Sequence, residues 1–536
     1  MTAAHLVLVE TSGNQNYIFA TNKLRENVGA SELTFRVGTR FVLEAVHDLG
    51  GPDLWKPNNR ELRHALQDDR NNSPLTNSSY PIEVILAVSG KALLLVREEG
   101  LARALVSAVS RRALKETPGI DVRGVVGSRF DLAQDPIHER VGHVYRELEA
   151  IRGRLPAPGE RFQRLPVVAE CKTSGLPAAR FDTSLPVAGE HAPRSRVSLA
   201  KQEATEAGLN RICRLVGEIL LPHSTTDLEN LGCEWLAVVH ADGNGLGQVF
   251  LKFDEHIQSP RTDALSSNRF YIDQLRRFSL ALDCCTEKAF CAAIRLMGPR
   301  GGRSVVPVVP LVLGGDDLTV VCDGQQALRF TKTFIDAFER ETGADTTIST
   351  IMRKTSCQGK VTSCAGVAII KPHFPFHASY GLAEELLKSA KKCKPKSAID
   401  FHMLYDASGA DLERIRRELT KDGGATLLVA RPYMVTPGQE PPGRFWGDLV
   451  HRVEAVTARD DDKRRRLPNN MLHELREALF CGREIAEARL ALVRDRYRPY
   501  IDHLLVDDNL FWKEDGTYRT GLLDAMDLAE FWEGQR

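Results

Sequence analysis

Val309-Pro310-Leu311-Val312-Leu313-Gly314-Gly315-Asp316-Asp317-Leu318-Thr319-Val320-Val321 is the stretch that decides the fold of this chain. Two apolar runs of strand character flank a Gly-Gly corner, which predicts a β-hairpin. Two adjacent carboxylates stand at the bend with no basic residue beside them. Such a pair repels unless a divalent cation lies between its members. Hard oxygen ligands suit Mg²⁺ or Mn²⁺, with substrate phosphates completing the shell. The competing reading is a solvated turn, because Gly and Asp are ordinary turn residues.

A third carboxylate lies upstream. Leu236-Ala237-Val238-Val239-His240-Ala241-Asp242 reads as a short buried strand ending on an acid, followed by Gly243-Asn244-Gly245-Leu246-Gly247 and a helical pattern. The small residues after Asp242 allow backbone groups to approach phosphates closely. Leu275, Phe278, Leu282, Cys285 and Phe290 then recur at near-helical spacing. Beyond the hairpin come a helix from Ala327 to Phe338, a strand from Ala365 to Ile370 and a helix from about His377 to Lys392. The order βα(α)ββαβ matches the ferredoxin-like arrangement, in which the first strand and the hairpin are sheet neighbours. Asp242, Asp316 and Asp317 are therefore expected to meet at one sheet end as metal ligands and catalytic acids, with the Gly243 backbone beside them.

The N-terminal third carries the same plan. Leu6 to Asn14 can be laid on Leu236 to Asn244, Ile85 to Leu94 on the hairpin with Gly90 at Gly315, and Val122 to Val126 on Cys364 to Ala368. This points to an internal duplication. In that alignment Ser12 takes the place of Asp242, and Lys91 and Ala92 the places of Asp316 and Asp317. The first copy is expected to lack metal ligands and to pair with the second.

The bulk composition narrows the function. A chain of 536 residues exceeds one core and suggests about three or four domains. Basic and acidic residues are equal at 71 each, so no global positive field argues for nucleic-acid coating, and nucleotide-sized or protein partners fit as well. No apolar run approaches the roughly 18–20 residues of a membrane span, so no membrane partner is expected. Met1-Thr2-Ala3-Ala4-His5 does not read as a secretory signal. The eleven cysteines show no CxxC spacing, which predicts reduced thiols and a cytoplasmic location.

With both copies in view, the chain resembles the large polymerase-like subunit of type III CRISPR complexes, the Cas-ten (Cmr-two) family. Four segments carry the resemblance: Gln15 to Arg25 with Gly29-Ala30-Ser31; Asp242-Gly243-Asn244 with Gly247; Gly314-Gly315-Asp316-Asp317; and Lys371-Pro372-His373-Phe374-Pro375 with Leu382 to Lys391. The resemblance implies an α+β fold of two palm domains related to nucleotide cyclases. It also implies joining of ATP, or another NTP, 3′ to 5′ into a cyclic oligonucleotide messenger of antiviral defence, with two Mg²⁺ or Mn²⁺ ions. Gly243, Asn244, Gly247, Gly314, Gly315, Lys391 and Ser31 are the expected nucleotide contacts. Lys391 alternatively is a solvated lysine at a helix C-terminus, and Ser31 alternatively an N-cap for the helix carrying Leu33 and Val37.

Two departures qualify the resemblance. The sequence reads as entering its first palm by residue 6, so the HD nuclease domain that family members often carry is not expected, and His47-Asp48 reads as surface. At Glu170 to Ala178 only Cys171 remains of a cysteine pair, with Ser174 in the partner position, so no zinc is expected. Cys357 and Cys364 read as core or loop thiols. The expected domains are a first palm at 1–150, a linker with helical insertion at 151–230, a second palm at 231–425 and a helical domain at 426–536. Pro437 to Gly443 marks a boundary, and Asp460 to Arg466 reads as a solvated loop with RNA contact as the alternative. Expected partners are the NTP, RNA, CRISPR-type subunits or a second copy. The rival functions are a non-catalytic scaffold and a diguanylate-cyclase-like GTP enzyme.

Overall fold

The computed structural model describes residues 2–152, 158–182, 192–217, 219–257, 263–300, 304–355, 358–405, 409–436 and 443–533. The first unit opens with β1 (Ala3–Ser12), α1 (Asn14–Ile18), α2 (Leu24–Arg36), α3 (Val42–Asp48) and α4 (Asn59–Gln67). It continues with β2 (Ile82–Val88), β3 (Lys91–Val96), α5 (Glu99–Glu116), β4 (Asp121–Val126), β5 (Phe130–Asp131) and α6 (Ile137–Arg152). Its sheet has the order β2-β3-β1-β4, with β5 paired to the start of β1. An antiparallel strand pair, β6 (Arg180–Asp182) and β7 (Ala192–Arg194), precedes α7 (Arg196–Val216) and α8 (Thr225–Asn230).

The second unit repeats the plan with β8 (Leu236–Gly243), α9 (Leu246–Leu251), α10 (Phe253–Ile257), α11 (Ala264–Met297), β9 (Val308–Gly314) and β10 (Asp317–Asp323). It closes with α12 (Ala327–Ala344), α13 (Thr346–Met352), β11 (Ser363–Ile370), α14 (Phe376–Ala390) and β12 (Ala398–Met403). The strand order β9-β10-β8-β11 reproduces that of the first unit, and β12 extends the sheet parallel to β11. The fold is α+β with two palm domains, as the sequence predicts.

The palms share their cores crosswise. Val7 and Val9 of β1 bury with α2, α3 and α5 of their own palm and with Leu382, Ala383 and Leu386 of α14 from the other. Val239 and Ala241 of β8 bury with α11 and α12, and with Val141, Val144 and Leu148 of α6 from the first palm. The first palm's closing helix α6 packs on α11 of the second, and α14 meets the first palm through Phe376 and Tyr380 against Phe19. The strut of this arrangement is α11, capped by Asp263, whose carboxylate accepts from Ser266 N at 2.9 Å. Phe278 and Phe290 on its inner face are fully buried, each contributing about 1.5–3 kcal/mol. Its first half grips the first palm: Arg269 makes two 2.8 Å contacts to the buried Glu83 of β2, and Arg276 a third.

The register corrects the sequence alignment of the two copies. Val88 pairs with Lys91 and Gly314 with Asp317, so each hairpin has a two-residue tip. Lys91 therefore corresponds to Asp317 and Gly90 to Asp316, one residue from the expected match. Ala92 lies opposite Val9 as Leu318 lies opposite Ala241, so Asp242 corresponds to Glu10 and not to Ser12. The sequence alignment matched glycine to glycine. A one-residue slip would turn the buried face of β3 outward.

After β12 the chain forms α15 (Leu412–Glu418), β13 (Thr420–Lys421), β14 (Thr426–Leu427), β15 (Tyr433–Met434), α16 (Trp446–Thr457), α17 (Asn469–Cys481) and α18 (Arg483–Ile501). It ends with β16 (Trp512–Glu514), β17 (Thr517–Arg519) and α19 (Leu522–Glu533). The helical region also carries a small sheet, β13-β14-β17-β16, that the sequence reading did not include. Its strands of two or three residues leave no periodic trace. Cys357 and residues 437–442 lie outside the described residues. Among the described residues no helix is long and apolar enough to cross a membrane.

Candidate functional site

The acids meet at the tip of the second palm. One carboxylate oxygen from each of Asp242, Asp316 and Asp317 lies within 4.8 Å of the others, and all three residues are half-buried. Burial pushes the carboxyls of Asp316 and Asp317 up, and the charge of Asp316 pushes Asp317 further. The backbone N–H groups of Asp316 itself and then of Gly243 partly oppose this at Asp316. Lys391, just past α14, ion-pairs with Asp242, and burial followed by the nearby Lys394 lowers its ammonium to about 8. The trio is short of positive charge, which is the environment a divalent ion relieves.

Two glycines at this tip answer to specific contacts. A Cβ on Gly243 would stand 2.8 Å from Asp316 Oδ2, and one on Gly314 would stand 2.7 Å from the Ser89 hydroxyl. The tips of the two hairpins therefore abut, Ser89 of the first palm against Gly314 of the second. Gly315, at φ 63°, makes the turn itself.

The turn is held from α11. Asp283 Oδ1 accepts from Gly315 N at 3.2 Å, and the Thr286 hydroxyl donates to Gly315 O at 2.5 Å. Arg63, on α4 of the first palm, reaches Asp283 at 2.9 Å and Glu287 at 2.5 Å, and Asn59 donates to Glu287 at 2.5 Å. Burial and then Glu287 raise the Asp283 carboxyl, while Arg63 opposes both. The first palm thus reaches the acidic turn through Arg63, Asp283 and the Gly315 amide.

A cleft opens between the palms beside this tip, with about 1000 Å³ of empty space, its open mouth included. Asp317, His240 and Tyr380 line it from the second palm, and Ser31, Thr34 and Arg63 from the first. Phe19 stacks on Tyr380 with ring centroids 3.9 Å apart, closing one wall. His240 Nδ1 lies 2.9 Å from the Thr319 hydroxyl, and burial lowers its pKa to about 4.

Of the residues expected from sequence, Asp242, Gly243, Gly314, Gly315, Asp316, Asp317 and Lys391 gather at the tip. Ser31 lines the cleft from within α2, whose N-cap is Lys23, so the N-cap alternative does not hold. Asn244 is buried, and its amide donates to Thr362 Oγ1 at 3.0 Å and Lys396 O at 3.2 Å. Its side chain stitches β8 to the neighbouring strands and does not face the cleft. Gly247 is exposed in the first turn of α9. Arg63, Asp283, Glu287 and Ser89 were not found from sequence. The four-residue spacing of Asp283 and Glu287 on a predicted helix was a visible signal; their partner, some 220 residues away, was not.

Fold and site together define a fused pair of palm domains of which one carries a carboxylate centre. Residues 235–400 match the sequence model of the Cas10/Cmr2 second palm domain. Among solved structures, a type III-B Cmr-beta complex in its apo state has a chain with TM-score 0.53 and 10% identity, the match covering 100% of this chain and 82% of that one. A Csm1-Csm4 cassette in complex with pppApA gives 0.52 and 15%, covering 98% and 69%. The same cassette in complex with one ATP gives 0.50 and 15%, covering 95% and 66%. The chain spans from 54% to 82% of the length of such relatives. No curated protein sequence matches it. The chain is similar to the Cas10/Cmr2 subunits of type III CRISPR systems: the family match lies in its second palm, and the likeness of fold extends over nearly all of it.

Proposed function

We propose that this chain is a metal-dependent nucleotidyltransferase that joins ATP, or another NTP, into a cyclic oligonucleotide messenger. The observation that carries this reading is the carboxylate trio at the edge of a cleft shared by both palms. Three acids in contact with one lysine among them fit divalent ions. Asp242, Asp316 and Asp317 would hold Mg²⁺ or Mn²⁺, with the Gly243 backbone alongside. When bound, such ions acidify a ribose 3′-hydroxyl and neutralise the triphosphate. The 3′-oxygen then bonds to the α-phosphorus of a second nucleotide, pyrophosphate leaves, and the hydroxyl proton passes to solvent.

The chain's own groups supply position. Lys391 moves from Asp242 to a phosphate oxygen. Asp283 and Thr286 fix the Gly315 backbone, so the acids keep their spacing. Ser31 and the first palm hold the partner nucleotide against the same tip. The pppApA in one solved Csm1-Csm4 structure and the ATP in another support an adenylate substrate, since pppApA is what one such joining of two ATP yields. We divide the chain into palms at 1–150 and 231–425, a linker region at 151–230 and a C-terminal domain at 426–536. We place it in the cytoplasm beside CRISPR-type subunits.

Incubation of the full chain with each labelled NTP and Mn²⁺ or Mg²⁺, with and without RNA, tests the reading. Oligonucleotide product from the native chain and none from Asp316→Ala/Asp317→Ala is expected. Absence of product with every NTP under all these conditions overturns it.

A further inference from the structure

The first palm keeps one acid of the centre and answers it with a cation. Glu10 and Lys91 face each other across β1 and β3, at the positions that Asp242 and Asp317 hold in the second palm. Lys91 Nζ lies 3.2 Å from Glu10 Oε2 and 4.9 Å from the centroid of the Tyr145 ring. Burial pulls its ammonium down, but Tyr145 and Glu10 outweigh this and hold it above the ordinary lysine range. Arg152, at the end of α6, meets Glu10 Oε1 at 3.1 Å, as Lys391 at the end of α14 meets Asp242.

The cation at the helix end is therefore common to both palms, and the hairpin residue is what differs. Opposed aspartates repel across a strand pair, whereas Glu and Lys attract. We propose that Lys91 is the first palm's built-in cation, standing where the second palm would hold a metal ion and restricting divalent metal to one centre per chain. This rests on the metal reading of Asp242, Asp316 and Asp317. The third acid cannot be restored in the first palm, because a side chain on Gly90 would begin 2.4 Å from the Thr11 hydroxyl. A carboxylate at position 91 opposite Glu10 therefore makes a two-acid site, weaker than the native three-acid one.

Mn²⁺ alone is the probe, titrated into the full chain and followed by the electron paramagnetic resonance of free Mn²⁺. Loss of binding in Asp316→Asn/Asp317→Asn tests the metal reading separately. In that background Lys91→Asp is expected to restore one Mn²⁺ per chain, at least tenfold weaker than the native site, and Glu10→Gln to remove it again. A folded Lys91→Asp chain that binds no Mn²⁺ overturns the proposal. So does a background chain with Lys91 intact whose remaining Mn²⁺ is lost on Glu10→Gln. If circular dichroism shows Lys91→Asp unfolded, Lys91→Ala is measured in its place: Mn²⁺ gained and dependent on Glu10 supports the proposal, and none overturns it.

Discussion

Arg63→Ala removes the guanidinium that joins the first palm to the acidic turn of the second. Its partners Asp283 and Glu287 have side chains 18% and 8% exposed, and Arg63 itself 15%. Breaking a buried ion pair by deleting one member costs about 3–5 kcal/mol. The pair borders the cleft, so the lower figure, about 3 kcal/mol, is expected in urea unfolding. The effect on chemistry is separate. Asp283 fixes the Gly315 amide, and a displacement of about 1 Å at a reacting centre costs on the order of 10²-fold in rate. Initial rates of pyrophosphate release at saturating ATP should fall by that order, with a smaller change in KM, because Arg63 sets the turn's position and does not supply a ligand. Arg63→Lys keeps a charge but not the two-pronged contact and should recover stability more than rate. A double-mutant cycle of Arg63→Ala with Asp283→Asn should show non-additivity in both readouts. If Arg63→Ala keeps the native urea midpoint and the native rate, the coupling of the first palm to the turn is refuted.

Gly243→Ala would place a methyl 2.8 Å from Asp316 Oδ2, so Mn²⁺ affinity should drop at least tenfold while far-ultraviolet circular dichroism is unchanged; unaltered affinity contradicts the crowding at this tip. Lys391→Met frees Asp242 of its ion pair and should tighten Mn²⁺ binding while lowering the rate with ATP, whereas weaker Mn²⁺ binding would show that Lys391 supports the metal. Lys201 is buried, donates to Tyr17 O at 2.5 Å, and has its ammonium lowered to about 8 chiefly by desolvation. The unfolded chain then binds the extra proton between that value and the ordinary lysine pKa near 10.5, so stability should rise with pH across this window by about 3 kcal/mol. Urea midpoints of the native chain and Lys201→Met, compared from pH 7 to 10, should converge as this penalty disappears; a constant gap would refute it.

The site's acids were legible because they sit on local signals: a glycine corner between apolar runs, and a strand that ends on Asp242. The two-palm plan was legible because the same order of elements occurs twice. Register was not, since matching Gly90 to Gly315 looks better by identity, whereas the alternation of buried faces decides for Ser89. Asn244 followed an acid in a motif that suggested nucleotide contact, yet its amide serves strand pairing. Arg63 was invisible for a different reason. Its partners lie in another domain, and nothing in the sequence around it marks a surface arginine from one that crosses an interface.

The single helix α11 also works as a gauge. Arg276 clasps Glu83 of the first palm, and Asp283, seven residues on, holds the Gly315 amide of the second. Seven residues of α-helix advance about 10 Å and complete nearly two turns, so that spacing is fixed by backbone hydrogen bonding and not by the residues that line the cleft. Inserting or deleting one residue between Arg276 and Asp283 would swing the carboxylate about 100° around the axis, off the turn altogether. The length of this stretch is therefore far less free to vary than its composition.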